Sequence, residues 1–291
     1  MATMAVAQSD LILGGKLPMY VSAPELVSNN LTWEKVTTAD IGVDLTLFDN
    51  RLNFTGDIYR RNTKDMLTLG EVLPGVLGAN LPKENSADLK TTGFDLTVSW
   101  RDQIKLAGKP LEYSLEFNLS DSKSEITKFS NPTGTLNSYY KGQKIGEIWG
   151  LTSDGLYKSD EEAQKGPDQT EILIAPSQYP TVAGSLKYKD LNNDGKITRG
   201  KYTLDDHGDL TVIGNDQIRY RFGATFAANW SGFDISAFFQ GVMKHNYYPT
   251  ASDKIFWGKY SAPWFDQLEG HYFDRWKEDN PNLDAYWPVL S

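Results

Sequence analysis

The amino-acid sequence predicts an all-β fold, one stretch of a large antiparallel transmembrane β-barrel with long loops. Three observations lead there. Long segments alternate apolar and polar residues with a period of two. The register set by their tight turns gathers the apolar residues on one face. Short links alternate with very long ones along the chain.

The first hairpin lies at residues 41–60. In ADIGVDLTLFDNRLNFTGDIYRR a loop at Asp49-Asn50 sets Leu47 opposite Leu52, then pairs Leu45 with Phe54, Val43 with Gly56 and Ile41 with Ile58. Asp44, Thr46, Asn53, Thr55 and Asp57 fall on the other face. The next two strands, within 93–119, repeat the pattern. GFDLTVSW puts Phe94, Leu96, Val98 and Trp100 on one side, and LEYSLEFNL does the same with Leu111, Tyr113, Leu115, Phe117 and Leu119. The last hairpin, 221–241, turns at Ser231-Gly232, so Trp230 faces Phe233, Ala228 faces Ile235, Phe226 faces Ala237 and Ala224 faces Phe239. Asn229 and Asp234 meet on the opposite face. Each strand reads as about eight to ten residues, longer than the soluble average and near the length a tilted membrane strand needs.

The short links are Asp49-Asn50, the stretch near 101–110, and Ser231-Gly232; the long ones are about 62–92, 120–220 and 243–291. One edge of the sheet therefore carries tight turns and the other long loops. Transmembrane barrels have that asymmetry, with the short turns periplasmic, whereas long structureless loops are uncommon in compact soluble domains. Trp100 and Trp230 stand beside the short turns, where an aromatic girdle belongs. The same alternation also fits a secreted β-sandwich with one packed face per sheet, stabilised by calcium and holding glycans through exposed aromatics.

Composition narrows the classes. The 291 residues are 40% apolar and 12% aromatic, too rich for a disordered chain, and the net charge of −9 argues against a nucleic-acid partner. Without cysteine there is no disulfide framework and no thiolate metal site. No run of about 18 apolar residues exists, which excludes a transmembrane helix but not strands. The opening MATMAVAQSDLILGG lacks the pattern of a signal peptide, so a secreted reading requires another native N-terminus.

The sharpest local motif is DLNNDGKIT, which has the D-x-[DN]-x-[DN]-G form of a Ca2+ loop, spanning 190–201. Asp190, Asn192 and Asp194 would supply oxygens, Gly195 the sharp turn, Lys196 its carbonyl and Thr198 the ninth ligand, while Ile197 would tuck inward. The twelfth place, normally glutamate, is Lys201; Asp205, Asp206 or Asp209 would have to close the shell. The alternative is an Asn/Asp/Gly surface turn holding no ion.

The three histidines are scattered and no catalytic signature occurs, so no enzyme is expected. The carboxylates of SDEEAQKG read as a solvated loop or short helix. In the aromatic-rich C-terminal third, Trp257, Tyr260 and Trp264 are candidates for contact with substrate or partner, against a reading in which the rings pack a large loop on itself. There Asp274 and Lys277 are spaced to pair on one helical turn.

Several stretches together resemble the SusC/RagA family of TonB-dependent outer-membrane transporters. NLTWEKVTTADIGVDLTLFDNRLNFTGDIYRRNTKDML is similar to the family's mid-barrel hairpin. LKYKDLNNDGKIT, TVIGN and RYRFGATFAANWSGFDISAFFQG match its later loop and hairpin, and HYFDRWKEDNPNLDAYWPVLS the segment before its last strands. The resemblance covers about residues 18 to 291, in the right order. It implies a plugged 22-stranded barrel that imports oligosaccharides, or peptides, across the outer membrane. A SusD-like lipoprotein would cap the mouth and the TonB complex would move the plug. The plug, TonB box and closing strands of the family are not found in this sequence. The chain is therefore expected to be an internal or C-terminal part of the barrel, needing the remaining segments and outer-membrane lipid around it.

Overall fold

The computed structural model describes residues 6–8, 10–21, 28, 31–69, 82–173, 180–250, 253–260, 265 and 268–290. In chain order the strands are β1 (Val6–Gln8), β2 (Met19–Val21), β3 (Lys35–Leu47), β4 (Leu52–Leu69), β5 (Lys83–Leu106), β6 (Lys109–Lys128), β7 (Glu147–Gly150), β8 (Ser153–Leu156), β9 (Leu186–Tyr188), β10 (Thr211–Asn215), β11 (Arg219–Trp230) and β12 (Phe233–Lys244). The α-helical turns are α1 (Asp160–Lys165), α2 (Lys254–Trp257) and α3 (Glu269–Phe273). Two compact units emerge, the first being 1–132, 139–145 and 219–243, the second the remainder.

The first unit is a six-stranded antiparallel sheet in the order β12-β11-β6-β5-β4-β3, with β1 and β2 paired apart from it. Its tight turns are those the sequence marks. Phe48, Asp49 and Asn50 all take positive φ, and the Arg51 amide closes the turn onto the Phe48 carbonyl at 3.2 Å. Ala107-Gly108 (φ 51° and 79°) and Ser231-Gly232 (φ 53° and 87°) are two-residue turns with both centres left-handed, the form whose twist matches its strands.

Register then builds the faces. Leu45, Phe54, Val98, Phe117 and Ala224 are successive partners across five strands. One step away run Val43, Gly56, Leu96, Leu119 and Phe222, and on the other side Leu47, Leu52, Trp100, Leu115 and Phe226. On β11–β12, Asn229 donates to the Asp234 carboxylate and the Phe222 ring lies against Gly241, as the Ser231-Gly232 register requires.

The apolar rows run from the level of Phe94 to that of Ile104. Ten residues at about 3.3 Å each, tilted by about 40°, make a band about 25 Å tall, the height of the lipid-facing band of outer-membrane barrels. Trp100, Tyr113 and Trp230 mark its turn-side margin, Trp100 Nε1 donating to the Tyr113 hydroxyl at 3.3 Å. Asp102 is the carboxylate on this face near that margin, and Arg51 reaches it at 3.4 Å.

Among the described residues nothing covers the band: Ile41 is 69% exposed, Ile58 62% and Phe239 65%. The sandwich alternative needs a second sheet packed on these residues, and among the described residues none is there. The strands are longer than expected, 12 to 24 residues in this sheet. Beyond the band β4, β5 and β6 continue as a ladder that is mostly polar, with Ala87 and Ile126 buried in it, so part of what reads as loop at 62–92 and 120–220 is strand. Register shifts between Thr63 and Met66, and between Asp88 and Leu89, mark this extension.

The second unit has a true interior. β7 pairs with β10 and β8 with β9. Tyr157, Ile197 and Asp209 are fully buried, with Leu210 beside them. In α1, Ser159 caps the helix by accepting from the Glu162 amide at 3.3 Å, and the Glu162 carboxylate accepts from the Lys158 amide at 2.8 Å and pairs with Lys187 at 3.0 Å. Asp160 accepts from the Ala183 amide. Asp160 and Glu162 of SDEEAQKG are thus occupied in holding backbone.

A second cluster centres on buried His271 and Trp276. The Gly184 backbone, at φ 79°, lies so close under the Trp276 ring that no side chain fits. Asp274 falls after α3 and accepts from the Tyr286 amide, while Lys277 sits over the Tyr272 ring at 4.3 Å. The expected Asp274–Lys277 helical pair is not formed, because the helix stops at Phe273.

Candidate functional site

The face of the sheet opposite the apolar band is polar. Asp44, Thr55, Thr97, Asn118 and Gly223 form one row, and Thr46, Asn53, Ser99, Glu116 and Thr225 the next. The Thr55 hydroxyl donates to Asp44 at 2.7 Å and the Thr46 hydroxyl to Asn53 at 3.1 Å. Higher up, Gly93 leaves room for Tyr59 to lie across the strand beside it. Such a face offers hydroxyls, amides and carboxylates to water, as the inward face of a barrel strand does.

In the loop 190–201 the side chains of Asp190, Asn192 and Asp194 are hydrogen-bonded within one turn. The Asp190 carboxylate accepts from the amides of Asn193 (2.6 Å) and Gly195 (2.8 Å), and Asn192 Nδ2 donates to Asp194 at 2.9 Å. Gly195 takes φ 81°, and Ile197 is buried, its amide donating to the Asp168 carbonyl at 2.8 Å. Thr198 and Lys196 follow in this turn, the Lys196 amide donating to Asp194 and the Thr198 amide to Asp209. Of the three aspartates weighed as a closing ligand, Asp209 lies inside and accepts from the amides of Leu191 (2.7 Å) and Thr198 (2.8 Å). Asp206 pairs with Lys201 at 3.3 Å. Among the described residues no three His, Asp or Glu side chains converge as a metal-binding group.

Trp257 and Tyr260 belong to a packed aromatic cluster. Tyr260 stacks on Trp287 (5.1 Å between centroids, 17° between planes) and donates to the Pro288 carbonyl at 2.8 Å; burial pushes its phenol up to about 12. Trp257 meets Phe256 edge-on at 4.8 Å and donates to the Thr250 carbonyl. Trp264 lies outside the described residues. The histidines are dispersed: His207 lies against Trp149, His271 contacts the Phe256 carbonyl at 2.8 Å, and His245 is exposed.

A cleft of about 620 Å³ in the second unit is the feature that sequence reasoning missed. Trp149, Tyr188, Tyr202 and Tyr248 line it, with Arg199 and Asn137 also on its wall. Burial raises the Tyr188 phenol, which keeps it a hydrogen-bond donor. Aromatic faces of this kind stack on sugar or aliphatic surface, and a guanidinium holds a carboxylate. These residues lie far apart in the chain, so no local motif could have flagged them; abundant aromatics were the only signal.

Comparison with known proteins agrees with this architecture. Residues 7–231 match the family described as TonB dependent receptor-like, beta-barrel. The chain is 26% identical to TonB-dependent receptor P3 of Formosa agariphila over 80% of this chain and 22% of that protein. It is 21% identical to TonB-dependent receptor SusC of Bacteroides thetaiotaomicron, again over 80% of this chain and 22% of that one. A solved structure of the RagAB peptide transporter superposes with a TM-score of 0.62 at 20% identity, covering all of this chain and 29% of its own. The chain thus spans less than a third of the length of these relatives. A sheet with an uncovered apolar face, a polar opposite face and a family match over most of its residues places the chain in the TonB dependent receptor-like β-barrel family.

Proposed function

We propose that this chain forms part of the wall and loops of an outer-membrane importer. The importer would take up large nutrients, oligosaccharides or peptides, driven by the TonB complex and capped by a SusD-like lipoprotein. The observation that supports it most is the uncovered apolar band at one level across all six strands, because only hydrocarbon makes such a surface stable. The polar face would line the passage. The cleft beside Trp149, Tyr188 and Arg199, with the exposed parts of Trp257 and Tyr260, would meet substrate or lid. The test uses the full-length protein. It should remain in membranes through alkaline extraction, leave them only with detergent, and migrate differently on gels before and after boiling. Release by alkali alone sinks the reading.

For the loop we propose Ca2+ held by Asp190, Asn192, Asp194, the Lys196 carbonyl and Thr198. The D-x-N-x-D-G spacing and the left-handed turn at Gly195, with the Asp190, Asn192 and Asp194 side chains hydrogen-bonded within one loop, support it. Calorimetric titration of Ca2+ into the parent and into Asp190→Ala/Asp194→Ala should give heat only with the parent. Equal heats end the proposal.

A further inference from the structure

Directly beyond the apolar band, on its own face and on the side away from the tight turns, the strands turn basic. The ladder puts Arg60, Thr92 and Lys123 in one row, one step past Ile58 and Phe94. Lys90 stands one step further, and Lys35 faces Lys64 beyond that. Carboxylates answer only some of these charges: Asp65 pairs with Lys35 at 3.3 Å, Glu125 with Lys90 at 3.0 Å, and Asp121 with Arg219 at the margin itself. Among the described residues Arg60, Lys64 and Lys123 have no carboxylate within ion-pair distance, and all three are exposed. Arg60 donates Nε to the neutral Asn62 side chain at 3.4 Å.

This is unusual placement for a chain of net charge −9. The opposite face of the same strands carries Asp40, Asp44, Asp57 and Asp95. Two lysines directly across a strand pair repel, and Asp65 offsets the charge of Lys35 alone, which leaves Lys64 to a further anion. Arg60 and Lys123 flank Thr92 at two strand spacings, about 9.6 Å, wide enough for a phosphate to lie between them over the Thr92 hydroxyl. The row stands about 5 Å above the last apolar row, once the two-residue step is projected through the strand tilt. That is where headgroups begin.

We infer that Arg60, Thr92 and Lys123, with Lys64 above them, bind the phosphate groups of net anionic lipids in the leaflet on the loop side. The inference rests on the wall reading above, and its chemistry is that of an anionic headgroup meeting cations fixed at membrane level. A cation near such a surface strengthens binding about fivefold, so three of them matter.

The experiment takes the full-length protein, purified in nonionic detergent and washed with salt, and counts phosphorus-bearing lipids that stay bound, by native mass spectrometry. Arg60→Gln/Lys64→Gln/Lys123→Gln should hold them roughly a hundredfold more weakly than the parent, read as their loss in the wash. Arg61→Gln/Arg101→Gln/Arg221→Gln, which removes as many cations from the polar face, should retain as many as the parent. A second measurement needs no variant: the parent should unfold at a higher temperature in phosphatidylglycerol nanodiscs than in phosphatidylcholine ones. Equal lipid retention by the first variant and the parent, equal loss in both variants, or equal unfolding temperatures overturns the inference while the protein remains integral to the membrane. Release by alkali sinks the wall reading and takes this inference with it.

Discussion

Ile41 and Ile197 carry the same side chain, yet one is 69% exposed and the other wholly buried. The first belongs to the sheet, the second to the folded loops. In the sheet apolar residues share one face and, among the described residues, meet no protein across it; in the loops Ile197, Leu210 and Tyr157 are buried. The same hydrophobic chemistry thus answers two solvents, hydrocarbon for the wall and water for the loops. It also explains a low mean hydropathy of −0.46 in a membrane protein. Only one face of six strands needs to be apolar, and the polar face and the surface of the loops meet water.

Five substitutions, in four comparisons, press on that contrast. The largest effect is expected from Ile197→Ala, which empties a fully buried site and should cost the loop unit about 2–5 kcal/mol, read by hydrogen exchange of the Asp168 and Leu210 region. Next, Val98→Arg at mid-band should destabilise the folded full-length barrel by about 2–4 kcal/mol, whereas Thr97→Arg, one residue away on the polar face, should change it little. Urea titration in lipid compares the two, and equal losses would dissolve the distinction between faces. Third, Asp209→Ala strands the Leu191 and Thr198 amides and should cost about 1–3 kcal/mol, seen as faster proteolysis within 190–201.

The smallest effect is a pH dependence at Glu162. The Lys158 amide first, then Lys187, holds its carboxyl below the ordinary 4.5. A depressed value means the contribution is whole above that pH and fades as the pH falls through the lower, folded value. Glu162→Gln should flatten the acid limb of the loop unit's melting curve; an unchanged limb would dismiss the interaction.

The hairpins were legible because turn chemistry and alternation agree. Asp49-Asn50 and Ser231-Gly232 set registers that the structure keeps, down to Leu47 opposite Leu52. The polar continuations were not legible. In KENSADLKTT and SDSKSEITK neither face is apolar, so alternation has nothing to show, and pairing with the neighbouring strand decides the backbone. β7 to β10 are three to five residues long, too short to carry a period, and they stand because a partner distant in sequence meets them. Ile197 turning inward was readable from the Gly195 motif. The cleft around Trp149 was not, since tertiary packing alone assembles it.

The 25 Å height of the greasy band also sets a preference among bilayers. A thicker membrane would have to thin around this protein, at fractions of a kcal/mol for each ångström of mismatch, and the bacterial outer membrane is thinner than average. Thickness alone would then help to sort the protein to the compartment that suits it, before any receptor reads an address.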